Sequence, residues 1–343
     1  MAFRELDLGL NVLHSNIGRL PHPYKLTHAV TYKCNSRCSM CGIWKRKPEK
    51  EFSLGEMDEF YRKSNRFNWI SITGGEIFLR EDIVDVVESI SKNCSRLYTL
   101  TFPTNGLLTD RIDGCVRDMT SRIRQKIIIT VSLDGPPELH DRIRGVPGGW
   151  SKAVETFRRL REIRKVEAYF GMTLSAENIG RLDETLASVM EEIPSVKPRD
   201  FHLNIAHSSS HFYQNPGADE YPPEAAANEV REFRKKKGWL SPVLFLEQKY
   251  LSLVPNYLNS GATPLPCKAA SASCFIDPQG TVYPCTMWDK PLGSLRDVGF
   301  DLKKLWDTSE FKKTAQDALN KKCPNCWTPC EAYQTILGNL LHL

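Results

Sequence analysis

The sequence predicts an α/β fold: six successive βα units making an incomplete (β/α)6 barrel, followed by a small cysteine-rich segment. Three observations carry this reading. Between residues 26 and 206, short runs rich in β-branched and aromatic residues alternate with helix-length amphipathic stretches, the pattern of a parallel sheet with crossover helices. A polar or glycine-containing cluster lies at or after each run, as expected where the C-terminal strand ends open on one ligand-binding face. Beyond residue 262, six of the eleven cysteines gather in a span of distinct composition.

The strands are expected at 26–32, 68–73, 97–102, 127–133, 166–174 and 200–206, with helices near 53–65, 80–93, 109–121, 151–164 and 179–192. Ser53 and Glu56 have capping-box spacing, and Ser151 is placed to cap the fourth helix. The six clusters are the cysteines after the first strand, Thr73-Gly74-Gly75-Glu76, Thr104-Asn105-Gly106, Ser132-Leu133-Asp134-Gly135, Thr173 to Asn178, and Asn204 to His211. Four segments follow: an N-terminal extension (1–25), the barrel (26–213), connecting helices near 223–237 and 243–258 (214–262), and a cysteine-rich second domain (263–343).

At 343 residues the chain is long enough for a sizeable core, and 41% apolar with 25% charged residues is ordinary globular composition. A net charge of +5 is too small to imply nucleic acid, and the basic runs Arg158 to Lys165 and Arg231 to Lys237 read as solvated helix faces. No apolar run is long enough for a transmembrane helix, and the acidic start does not resemble a signal peptide, so a cytoplasmic location is expected. In that reducing setting, cysteines grouped this closely point to metal rather than disulfides. Cys94 and Cys115 stand apart and read as buried apolar thiols.

Cys34, Cys38 and Cys41 form C-x3-C-x2-C directly after the first strand. Three thiolates leave one iron of a [4Fe–4S] cluster open, whereas structural zinc wants four ligands, and no His or fourth Cys follows within fifty residues. Here the chain resembles the radical S-adenosylmethionine (radical SAM) superfamily, in which the open iron binds SAM and an electron cleaves it to a 5′-deoxyadenosyl radical. The resemblance implies a partial TIM-type barrel. It also implies that Gly74, Gly75 and Glu76 match the GGE motif holding the SAM amino group, and that Ser132 and Asp134 match the fourth-strand segment near the ribose. Asn105 matches the T-N-G segment, and His140 to Gly145, with Arg144, matches HD-x-x-RG. Thr173 belongs to the same face; Thr104 and His140 read as capping residues. Met40 stands where the family often has an aromatic residue near adenine, and Trp44 lies close by.

Cys267, Cys274 and Cys285 precede C-x2-C-x3-C at Cys323, Cys326 and Cys330, with a hairpin signal from Ile276 to Cys285 and a helix near 301–319. That order resembles the SPASM and twitch domains of radical SAM enzymes, which bind auxiliary [4Fe–4S] clusters. Six cysteines permit one complete cluster, best at Cys267, Cys285, Cys323 and Cys326, or two incompletely ligated ones; a zinc knuckle is the structural alternative.

Asn204, His207, Ser208, His211 and Tyr213, after the sixth strand, are candidates for substrate contact or proton transfer. The expected substrate is a peptide or a lipid or isoprenoid chain, small metabolites remaining open, and the electron donor a ferredoxin or flavodoxin. A non-catalytic electron-transfer or assembly protein is the other reading. The apolar segments containing Leu8, Leu10, Val12, Leu13 and Ile17, and Ile336 to Leu343, are expected to pack against the domain.

Overall fold

The computed structural model describes residues 2–47, 49–238 and 241–342. Six parallel strands appear in the expected order: β1 (Lys25–Thr31), β2 (Trp69–Gly74), β3 (Thr99–Thr104), β4 (Lys126–Ser132), β5 (Val166–Leu174) and β6 (Phe201–Ile205). The chain starts with α1 (Ala2–Ile17); crossovers are made by α2 (Leu54–Lys63), α3 (Ile83–Asn93), α4 (Thr109–Arg122), α5 (Pro137–Arg144), α6 (Gly149–Leu160) and α7 (Leu182–Glu192). Connecting helices α8 (Pro223–Lys236) and α9 (Pro242–Ser260) lead to β7 (Ser273–Ile276), β8 (Thr281–Tyr283) and β9 (Gly293–Ser294), then α10 (Leu302–Trp306), α11 (Ser309–Leu319) and α12 (Pro329–Leu337). The shared core lies between the strands and their helices, with Ile70, Ile72, Leu100, Ile127, Ile129 and Phe170 fully buried.

Among the described residues all nine strands belong to one sheet, in the order β6-β5-β4-β3-β2-β1-β7-β8-β9. β1 is the seam: Lys25 is opposite Trp69 of β2 and Ser273 of β7, and both pairings are parallel. The cysteine-rich span therefore continues the barrel sheet, and its hairpin of β7 and β8 is antiparallel as its turn residues predict.

The local differences have local causes. The Ser53–Glu56 capping box forms, but α6 begins at Gly149 rather than near Ser151, because the Asp141 carboxylate accepts from Trp150 N at 2.8 Å and from Gly148 N. The helix expected near 301–319 is two helices, since Thr308 accepts from Phe311 N and restarts the chain. In α1, Leu8 and Val12 pack with Leu20, Tyr24, Ala272 and Leu337, whereas Leu10, Leu13 and Ile17 are exposed rather than packed. Cys94 is buried and Cys115 half-buried. No helix among the described residues is long and apolar enough to cross a membrane.

Candidate cofactor and substrate site at the open strand ends

The Cys34–Cys41 loop is held by backbone hydrogen bonds from three directions. At the end of β2, Gly75 N donates to Thr31 O and Glu76 N to Lys33 O, both at 2.8 Å. That approach needs glycine: a Cβ on Gly74 (φ +133°) would lie 2.0 Å from Thr31 O, and one on Gly75 2.1 Å from Lys33 O. At the end of α5, Arg37 N donates to Arg144 O (3.0 Å) and Ser39 N to Ile143 O (2.9 Å), so the loop satisfies helix carbonyls that would otherwise be orphaned. After β6, Gly42 N donates to Tyr213 O (2.7 Å), and Asn215 Nδ2 bridges Met40 O and His207 O, both at 2.9 Å.

A cavity of about 240 Å³ opens over this loop. Its lining joins Cys34, Cys38, Cys41, Met40 and Trp44 to Gly74, Gly75, Asn105, Ser132, Arg144 and Thr173. Asn204, His207, Tyr213, Asn215 and Thr328 complete it. Asn215 escaped the sequence reading, because nothing local marks an asparagine that ties two loops together.

Four residues expected at the site stand behind or away from the cavity. The Glu76 carboxylate is buried, outside the cavity lining, and accepts from Asn105 N (2.7 Å) and Thr104 Oγ1 (3.0 Å), which holds the turn after β3. Burial pushes its pKa up to about 7, against the hydrogen bonds from Asn105, Phe78 and Thr104. Asp134 is likewise buried: it takes Thr173 N at 2.8 Å and pairs with Arg144. Ser208 bonds Asp219, and His211 stacks on Tyr283 with ring centroids 4.6 Å apart, facing the hairpin.

The donors at the cysteine loop suit an iron–sulfur cluster. Arg144 stands 3.7 Å from Cys38 Sγ, a cation beside a thiol. Burial raises the Cys41 thiol to about 11 and that of Cys34 in the same direction, so both stay protonated until a metal draws off the proton. Two buried polar atoms of the lining, Ser36 Oγ and His207 Nε2, have no protein partner among the described residues.

In the second group, Cys267, Cys285 and Cys326 pack together with Ala269, Met287 and Ala318, and Cys323 is within electrostatic range of Cys267 and Cys326. Cys274 is not with them: it lies in β7 opposite Leu26, inside the main core, because a β7 strand paired to β1 must bury that face. Cys330 opens α12, where its carbonyl takes the Lys25 ammonium. Glu331, 3% exposed and missed in the sequence reading, has one oxygen without a partner and acts electrostatically on all six C-terminal thiols. Burial pushes the Glu331 carboxyl up to about 7, against the Lys25 ammonium and hydrogen bonds from Ser273 and Gln334, which favour its charged form. Among the described residues no three His, Cys, Asp or Glu side chains converge as ligands of a single ion do.

Comparison with known proteins agrees. The model of the radical SAM superfamily matches residues 29–189, and that of SPASM, an iron–sulfur cluster-binding domain, matches 267–327. Over 327 residues the chain is 23% identical to the antilisterial bacteriocin subtilosin biosynthesis protein AlbA of Bacillus subtilis (strain 168), covering 90% of this chain and 67% of that one. It is 24% identical over 326 residues to an AdoMet-dependent heme synthase of Oleidesulfovibrio alaskensis, covering 87% and 78%. Among solved structures the fold resembles native anSMEcpe with bound AdoMet and Cp18Cys peptide, with TM-score 0.60, 15% identity and coverage of 93% and 97%. The cofactors are therefore a [4Fe–4S] cluster with SAM, and auxiliary iron–sulfur in the C-terminal segment. With both segments matched in order along one continuous sheet, this chain carries a radical SAM domain followed by a SPASM domain and is an enzyme.

Proposed function

We propose that this enzyme modifies a peptide, abstracting a hydrogen atom from a residue admitted to the cavity over the first cysteine group. The observation that carries the reading is the cavity itself, lined by Cys34, Cys38 and Cys41 and also by Tyr213, which packs against the cluster of Cys267, Cys285 and Cys326. A peptide is favoured over a lipid because one relative is a bacteriocin biosynthesis protein and the exposed apolar stripe of α1 is no part of the cavity lining.

When bound, the cluster and SAM supply a 5′-deoxyadenosyl radical. This chain's residues position what it meets. Gly74, Gly75, Asn105, Ser132 and Thr173 form the wall where SAM would lie, with Arg144 beside Cys38. Met40 and Trp44 offer apolar surface for adenine. His207 is neutral, because burial lowers its pKa to about 4, against weaker raising contributions. Its Nδ1 shares a hydrogen bond with the Tyr257 hydroxyl at 3.3 Å, and its Nε2, with no protein partner among the described residues, is placed to exchange a proton with substrate. Cys267, Cys285, Cys323 and Cys326 would hold the auxiliary cluster, and a ferredoxin or flavodoxin would supply the electron.

The test is 5′-deoxyadenosine formation by anaerobically reconstituted protein with SAM and dithionite, supplemented with a peptide fraction, a lipid extract or a small-metabolite fraction of host cells. The peptide fraction should stimulate turnover, and protease treatment should abolish the stimulation. Stimulation by the lipid or metabolite fraction alone would overturn the peptide assignment.

A further inference from the structure

Among the described residues, Tyr213 is the one side chain that packs against both hydrophobic clusters in which the two cysteine groups take part. It lies against the cluster of Cys267, Cys285, Met287 and Cys326, and also against the cluster of Tyr32, Ile43 and Phe212 on which Cys41 packs. Its phenol is within electrostatic range of Cys41 and of Cys326 and Cys330. Its backbone carbonyl takes the Gly42 amide at 2.7 Å, so the residue is fixed to the first cysteine loop at one end while its ring reaches the second group. The ring also lines the cavity. Phe212 braces it edge-on, with centroids 4.7 Å apart.

A rigid aromatic ring filling the space between two redox centres gives an electron a continuous path of packed atoms where an open cavity would give water. We propose that the Tyr213 ring is the through-protein connection between the SAM-binding cluster site and the auxiliary cluster site, and sets how fast one electron passes between them. The step is one electron from a reduced auxiliary cluster to an oxidised SAM-site cluster; no proton moves and no bond is made or broken. The ring, not the hydroxyl, is the working part. The inference rests on both cysteine groups holding clusters and is independent of the peptide assignment.

The experiment uses the reconstituted protein with SAM and no added substrate. A light pulse with deazaflavin delivers less than one electron per chain, samples are frozen at increasing delays, and paramagnetic resonance follows the two reduced clusters separately. The parent and Tyr213→Phe should show a constant ratio of the two signals from the earliest delay. Tyr213→Leu and Tyr213→Met should lose that fast phase, so that the ratio drifts, with iron content and both cluster spectra unchanged. Equilibration as fast in Leu and Met as in the parent would overturn the proposal. So would failure of both variants to retain cluster iron, which would make Tyr213 structural, and so would slowing in Tyr213→Phe equal to that in Leu. A protein lacking one of the two signals in its parent form would refute the cluster premise, not the role of the ring.

Discussion

The carboxylate of Glu76 accepts the Asn105 amide at 2.7 Å, tying the end of β2 to the end of β3 from beneath the cavity floor. A carboxylate whose pKa in the fold is about 7, raised by burial, stabilises the fold fully below its ordinary 4.5 and loses that contribution as pH rises through 7. Glu76→Gln should therefore gain on the parent in thermal stability between pH 4.5 and 7, reaching on the order of 3 kcal/mol above that range. Melting curves of the metal-free proteins across this range decide it; a difference that does not grow with pH would count against the buried charge.

Gly75→Ala should detach the cysteine loop. Its Cβ would meet the Lys33 carbonyl at 2.1 Å, and a backbone atom cannot rotate away. The expected cost is about 1–3 kcal/mol with loss of iron from the first site alone. Gly114→Ala, in α4 with nothing within 4 Å of its Cβ, is the control and should stabilise by about 0.5–1 kcal/mol. Equal effects of the two would refute the clamp.

The cysteines should divide by position. Replacing Cys34, Cys38 and Cys41 together with Ala should abolish 5′-deoxyadenosine and leave roughly four irons, one cubane, in the C-terminal group. Cys267→Ala or Cys326→Ala should lose that iron. Cys274→Ala, in the core of β7, should keep it and cost about 1 kcal/mol as a small cavity. Iron loss in Cys274→Ala would restore it as a ligand.

Acid should unfold the protein through its buried imidazoles. Burial first lowers His28 and His140 to about 3 and His202 and His207 to about 4. Their stabilisation is complete above the unfolded value near 6.5 and is lost as pH falls towards 3. Glu76 and Glu331, both raised to about 7, oppose this between 7 and 4.5, but two groups are outnumbered by four. A melting temperature that stays level from pH 6.5 to 4 would show that these imidazoles are protonated in the fold.

Glu331→Gln should raise the auxiliary cluster's reduction potential, because one negative charge leaves a buried site that it shares with six thiols. Potentiometric titration against the parent reads this directly, and an unchanged potential would place the carboxylate away from the iron.

Much of this was legible beforehand for a specific reason. β-branched runs separated by amphipathic stretches put all six barrel strands within two residues of where the pattern placed them, since periodicity is a local property. Helices α1, α5 and α12 were missed, as was the break before Thr308, because short or polar helices depend on caps and neighbours more than on periodicity. Asp141 is an example: its side chain caps α6 from the preceding helix, which no reading of Ser151 suggests.

Alternation of strands and helices is enough to put three cysteines after a first strand on one face with five further strand-end clusters, because it sends every such end the same way. Which side chains reach the cavity depends on contacts made in three dimensions. The Glu76 and Asp134 carboxylates turn inward to amides and an arginine that lie 29, 39 and 10 residues away along the chain. Cys274 goes to the core because β7 pairs with β1, and Tyr213 comes to lie between two cysteine groups because its carbonyl bonds Gly42, far back in the chain. Spacing along a chain fixes which residues are available; the direction of a side chain is set by the hydrogen bonds and packing of backbone segments distant in sequence, and these exist only once the sheet has formed.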